Sequence, residues 1–125
     1  MKLPTLSSLL ALGLLALAPA AHATDVTGLW IVSSSLGQTP VTMDCSVLQV
    51  GVKLEGWCEP ESADATPTAL SGQIDRDTAS WSYDLTVQGQ PIRLAYQGMV
   101  SADQKTISGQ LTYGTSSAGL SAMRK

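Results

Sequence analysis

The feature that most constrains the fold is the alternation of apolar and polar residues in short segments between residues 24 and 125. Successive side chains of a strand point to opposite faces, so this period indicates strands with one buried face. No part of this range keeps the spacing of an amphipathic helix. The alternation predicts eight strands, at about 26–34, 41–49, 52–59, 68–75, 78–87, 91–100, 105–113 and 117–124. Most of the connections are short and rich in turn-forming residues, so we expect neighbouring strands to pair.

A unit of apolar, variable, glycine, variable and apolar residues recurs within these strands. It occupies 26–30, 70–74, 96–100 and 107–111, and more loosely 54–58. Glycine on the apolar face lets a strand bend sharply, as the corners of small barrels require. The unit therefore favours a closed, eight-stranded antiparallel up-and-down barrel over a two-layer sandwich. The alternative is an open, strongly coiled meander sheet.

The turns also predict how the strands pair. A loop at 88–91 sets Tyr83 opposite Tyr96, and the next hairpin, around 103–104, sets Tyr96 opposite Leu111. In both hairpins the apolar partners fall on the same face, as a buried face requires.

Residues 1–23 have the pattern of a secretory signal peptide. Lys2 supplies the positive start, 9–17 is apolar, and 21–23 reads Ala-His-Ala, a small-x-small cleavage site. The apolar run is too short for a stable membrane anchor. We therefore expect a single domain at 24–125, periplasmic or secreted, with no transmembrane anchor after processing.

Removing this segment also removes the only histidine, His22, and one of seven basic residues, Lys2. Ten acidic and six basic residues remain, a net charge of −4, which argues against nucleic acid as a partner. Without histidine there is no Ser-His-Asp or Cys-His arrangement and no imidazole metal ligand. Strand parity also brings no two carboxylates together in a cleft. The sequence therefore predicts no catalytic centre, no metal and no cofactor.

The two cysteines, Cys45 and Cys58, are predicted to face each other. A turn at Gly51-Val52 places them directly opposite on the second and third strands, both on the apolar face. In an oxidising compartment such a pair is expected to form a disulfide. Redox catalysis is the alternative, which the absence of a Cys-x-x-Cys spacing disfavours.

Four aromatic residues are predicted to point into the barrel: Trp81, Tyr83, Tyr96 and Tyr113. They could line a pocket for a small apolar or amphipathic ligand, with hydroxyl groups to orient it. The alternative is that they only fill the core, as side chains do in most small barrels.

Trp57 has the opposite parity from Cys58 and is predicted to face outward, near the long polar loop at 60–67. An exposed tryptophan suits contact with a partner. The alternative is packing under that loop or a slipped register. Acidic residues on or beside the loop, Glu59, Glu61 and Asp64, could bind calcium, but no calcium-loop pattern is present and a solvated acidic loop is favoured.

Gly28 and Trp30 form a Gly-x-Trp motif in the first strand, and Arg124 ends the last strand. In a closed meander these strands pair, which brings the Arg124 guanidinium near the Trp30 indole at one end of the barrel. With this motif the strand layout resembles the calycin families, among them lipocalins and avidins, and the small secreted lipocalin-like domains of bacteria. The resemblance implies a barrel plugged by this pair and a ligand site inside.

The order Gly28, Trp30, Cys45 and Cys58 is also similar to the periplasmic inhibitors of secreted metalloproteases. In that family the residues before the first strand enter the protease cleft, whereas only Thr24 and Asp25 are available here.

The leading functional hypothesis from the sequence is a non-enzymatic protein that binds a small apolar or amphipathic ligand in a lipocalin-like barrel. The alternative is an interaction module for an envelope protein, or a protease inhibitor, acting through the 60–67 loop, Trp57 and one barrel rim.

Overall fold

The chain forms eight antiparallel strands that close into a barrel, and the computed structural model describes residues 24–61 and 66–125. Each strand pairs with the next, and the last pairs with the first. The strands are β1 Gly28–Leu36, β2 Thr39–Val50, β3 Lys53–Pro60, β4 Thr68–Asp75, β5 Thr78–Val87, β6 Gln90–Val100, β7 Thr106–Tyr113 and β8 Ser116–Arg124. The predicted up-and-down barrel is confirmed. The predicted signal peptide, 1–23, lies outside the described residues.

Two-residue turns produce most of the strand pairs. They lie at 37–38, 51–52, 76–77, 88–89 and 114–115. Each contains a residue with positive φ, usually glycine, as the turns that match the twist of paired strands require. Because each of these connections is only two residues long, the strands that it joins must lie side by side and pair with each other.

Two of the predicted registers are confirmed. Cys45 lies opposite Cys58 on β2 and β3, and Tyr96 lies opposite Leu111 on β6 and β7. The sulfurs of Cys45 and Cys58 are bonded, and both residues are buried. In the chain-entropy description a disulfide across a loop of this length stabilises the fold by about 3 kcal/mol.

The predicted register between β5 and β6 is wrong by two residues. Trp81, not Tyr83, lies opposite Tyr96. The prediction assumed a four-residue loop, whereas Gln88 and Gly89 alone make the turn, with φ angles of 51° and 79°. A shift of two residues leaves every side chain on its predicted face, so the interior set is unchanged.

The segment 24–27, which precedes β1, closes one end of the barrel. Val26 is buried; its carbonyl accepts a hydrogen bond from Trp30 Nε1 at 2.9 Å, and its amide donates to Gln49 Oε1 at 3.0 Å. The first strand was predicted to begin at residue 26, but it begins at Gly28. Gly28 has a φ of +142°, and a Cβ there would lie 2.8 Å from Arg124 Nη1, so only glycine lets the chain turn here.

Gly109→Ala is expected to destabilise the barrel by about 1–3 kcal/mol, the usual cost of overpacking. A Cβ at this position would lie 1.9 Å from the carbonyl oxygen of Gln97 and 2.5 Å from the Cα of Gly98, so β7 would have to move away from β6. Urea unfolding followed by circular dichroism measures the loss.

Gly119→Ala is the matched control for this change. Gly119 lies on the neighbouring strand β8, and a Cβ there meets no atom within 4 Å. The free energy of unfolding of the Gly119→Ala variant should stay the same or rise slightly, because alanine reduces the conformational freedom of the unfolded chain. Equal losses in the two variants would contradict close approach as the reason for Gly109.

Candidate functional site

Three of the four aromatic residues predicted to line a pocket pack against one another inside the barrel. The rings of Trp81 and Tyr96 stack with centroids 5.3 Å apart and planes 5° apart. The rings of Tyr83 and Tyr96 stack with centroids 5.2 Å apart. Pairing of β5 with β6 dictates this contact, because it places Trp81 and Tyr96 directly opposite each other on the inward face.

The hydroxyl groups of Tyr83 and Tyr96 hydrogen-bond to each other within the stack. Both residues are buried, and burial disfavours the charged phenolate, so it raises the pKa of both groups above the usual value of 10.0. Each phenol is therefore held neutral, with its polar atom directed at the other. The pair is already satisfied without a ligand.

The void found among the described residues of the barrel interior is small. The void left between its lining side chains, which include Trp30, Leu54 and Trp81, is about 10 Å³, at the lower limit of what one water molecule needs. One polar atom in the interior has no partner: Trp81 Nε1 is buried without a hydrogen bond to any described residue. In this conformation Trp81, Tyr83 and Tyr96 pack inside the barrel.

Tyr113, the fourth predicted pocket residue, is half-buried beside the core. Its hydroxyl oxygen accepts a hydrogen bond of 2.7 Å from the amide of Gly37, in the turn between β1 and β2. Tyr113 therefore connects β7 to that turn. The aromatic stack described above consists of the other three residues.

Arg124 lies across the capped end of the barrel. Its guanidinium is centred 4.5 Å from the Trp30 ring. It donates hydrogen bonds to three backbone carbonyls, those of Thr27 at 2.7 Å, Asp25 at 2.9 Å and Gln104 at 2.9 Å. A planar group with five N–H donors suits this task, and lysine could not reproduce it. These contacts join β8, the capping segment and the β6–β7 connection.

Trp57 projects from the outer face of β3, with 58% of its surface exposed. The pairing of strands aligns it with Ser46 on β2 and Ala69 on β4, and aligns Ser46 with Leu29 on β1. Leu29 is also exposed, as is Leu48 on β2. We call the surface formed by Leu29, Leu48, Trp57 and Ala69 the Trp57 face.

Sequence reasoning identified Trp57 but missed its apolar neighbours. The alternation of residues along their strands places Leu29 and Leu48 on the outer face, and this was the sequence signal that they are exposed. Their proximity to Trp57 depends on the register of three strands, which single-strand patterns do not show.

The acidic loop does not form a metal site among the described residues. Glu59 is in β3 and Glu61 follows it, while Asp64 lies outside the described residues. No group of three or more His, Cys, Asp or Glu side chains placed to hold a metal ion occurs within 24–61 and 66–125. No helix in the same ranges is long and apolar enough to cross a membrane.

Comparison with known proteins supports the fold. The chain is similar to a solved structure of a redesigned β-barrel, mFAP1, bound to DFHBI, with a TM-score of 0.60 and 12% sequence identity. The match covers 80% of this chain and 94% of that one. No protein-family model matches the chain, and no curated protein sequence matches it. At this identity the likeness shows a shared barrel fold.

The buried tyrosine pair is expected to make the barrel unfold in alkali. Because the folded pKa of Tyr83 and Tyr96 lies above the unfolded value of about 10, their contribution to stability is complete below pH 10. It is lost as the pH rises further, since the unfolded chain releases protons that the folded chain keeps. Urea unfolding at a series of pH values should therefore show stability falling above about pH 10.

The double variant Tyr83→Phe/Tyr96→Phe is the control for this decline. It removes both phenols while keeping the rings, so its stability should fall less steeply over the same pH range. Phenolate absorbance from these two residues in the folded protein, well below the unfolding pH, would contradict the expectation.

Proposed function

We propose that the protein is a non-enzymatic binding module that contacts a partner protein through the Trp57 face. The observation that carries this proposal is the contrast between the two sides of the barrel wall. The interior void is about 10 Å³, whereas the large indole of Trp57 is 58% exposed on the outside. Tryptophan is among the residue types that most often dominate protein interfaces, and here exposed leucines lie near it.

The proposed location is the periplasm or the exterior of the cell. The Cys45–Cys58 disulfide supports it, because such bonds persist in oxidising compartments. We also propose that the domain is a bacterial barrel of the calycin type. The packing of Gly28, Trp30 and Arg124 at one barrel end supports this assignment.

A protease-inhibitor role through the N-terminal segment is disfavoured. Residues 24–27 lie across the barrel end, where Asp25 contributes its carbonyl to Arg124 and its carboxylate to the amide of Thr27. Hydrogen bonds from Thr27 to this carboxylate hold the pKa of the Asp25 carboxyl below its usual value. A segment bound in this way cannot also extend into a protease cleft.

Photo-crosslinking tests the proposal. A photoreactive phenylalanine analogue replacing Trp57 should give a discrete adduct with a partner protein in living cells of the host. The same analogue at Met99 should not give it, because Met99 is equally exposed, at 58%, but lies on β6. The Trp57 proposal is refuted by the same adducts from both positions, or by none from position 57.

A second candidate function is binding of a small apolar ligand within the barrel. Two observations favour it: Trp81 Nε1 is a buried donor with no hydrogen-bond partner among the described residues, and mFAP1, which shares the fold, was solved with DFHBI bound. The ligand would have to displace part of the aromatic stack, since the present void is smaller than any such molecule.

Native mass spectrometry of the purified protein tests this candidate. A bound ligand should appear as a discrete mass adduct, and an apolar probe that enters the interior should change tryptophan fluorescence. The measurement is made in a Trp57→Phe background, so that the exposed indole does not contribute. Without an adduct and with no fluorescence change, the interior site is ruled out.

A further inference from the structure

The Trp57 face has carboxylates on both sides of its indole. Glu55 and Glu59 lie two residues before and after Trp57 on β3 and, like it, point outward and are exposed. Lys53, the next outward residue, stands beyond Glu55 at the start of the strand. The immediate neighbours of the indole along its own strand are therefore both negatively charged.

The neighbouring strand adds a third carboxylate. Asp44 on β2 lies directly opposite Glu59, while the small Ser46 lies opposite Trp57 and leaves the indole uncovered on that side. Among the described residues, one cation lies within ion-pair distance of these carboxylates: Lys125 Nζ is 3.7 Å from Asp44 Oδ2. The pair is half-exposed, so its attraction is weak and solvent-screened.

Trp57 separates two grooves on the outer surface. The first, about 350 Å³, is lined by Leu29, Asp44, Glu59 and Lys125 together with the indole. The second, about 530 Å³, is lined by Leu48 and Glu55 with the other side of the same indole. Together the two grooves are lined by three carboxylates and one ammonium group. Each groove also has a leucine beside its acidic residues, Leu29 in the first and Leu48 in the second.

We infer that the Trp57 face binds a segment of a partner protein that carries lysine or arginine side chains; this deepens the proposed function and rests on it. A Lys or Arg side chain has an apolar stem and a cationic end. The stem matches Leu29 or Leu48, and the cation can lie against the indole beside a carboxylate. Two basic side chains on one segment can occupy the two grooves, one on each side of Trp57.

The same charges disfavour other occupants. The anionic surface of a membrane and the phosphates of a nucleic acid would meet Glu55, Glu59 and Asp44 with like charge. A second copy in a two-fold arrangement would place the same carboxylates against themselves. A basic protein segment is the occupant whose charge complements this surface.

Two short capped peptides of equal length serve as probes. One contains lysine and leucine, and the other has glutamate in place of each lysine. Binding is followed in ¹H–¹⁵N NMR spectra through the backbone amide signals of β2 and β3, which every variant retains, and also through the indole N–H signal of Trp57 wherever that residue is present. The lysine peptide should bind and the glutamate peptide should not. The affinity for the lysine peptide should fall as salt is raised, since the attraction is between exposed charges.

Variants separate the contributions of charge and indole. Trp57→Ala should weaken binding of the lysine peptide by roughly two- to thirtyfold, the range expected for loss of a cation–π contact. The double variant Glu55→Gln/Glu59→Gln should weaken it several-fold while keeping the side-chain shapes. Asp75→Asn is the matched control, because Asp75 is an exposed carboxylate at the far end of β4 and should leave binding unchanged.

The outcomes distinguish this inference from the proposed function. Equal binding of both peptides, no binding of either, or no loss in the glutamine variant overturns the preference for a basic segment. In each of these cases a Trp57-specific crosslink in cells would still support the Trp57 face as an interface. Absence of that crosslink would refute the interface itself, whatever the peptides do.

Discussion

The pairing of β8 with β1 is the interaction on which the rest of the structure depends. Only four residue pairs, from Trp30 and Arg124 to Ser33 and Ser121, are needed to close the sheet. Closure removes the two unpaired edges that an eight-stranded meander would otherwise expose. Arg124 strengthens the β1–β8 pair, since its guanidinium covers Trp30 and donates hydrogen bonds to three carbonyls that lie outside these two strands. One side chain therefore stabilises both the β1–β8 pair and the segment that caps the barrel end.

The inner and outer sides of the barrel wall differ in how closely their side chains pack. The interior is occupied by an aromatic stack, a disulfide and aliphatic side chains, which leave a void of about 10 Å³. The outer wall is different, because Trp57 stands between two grooves and is flanked by glutamates.

Much of the fold was predictable because it rests on local rules. Alternation located all eight strands, and the Gly51-Val52 turn was enough to place Cys45 opposite Cys58. The β5–β6 register was mispredicted because the number of residues in a turn depends on backbone angles, here a positive φ at Gln88. The cap at 24–27 was also missed, since it depends on Gln49, a polar residue with no pattern to mark it.

The division between sequence and tertiary structure follows from the range of the forces involved. Strand parity and the inward set of aromatic residues follow from the order of residues within each strand, so they can be read along the chain. Which side chains contact one another in the interior, and which residues make up the Trp57 face, depend on the register of all eight strands in the closed barrel. That alignment determines that Trp81, Tyr83 and Tyr96 pack on one another in the core. It also places Leu29, Ser46 and Trp57, from three strands, in one row, because closure fixes every register relative to the others.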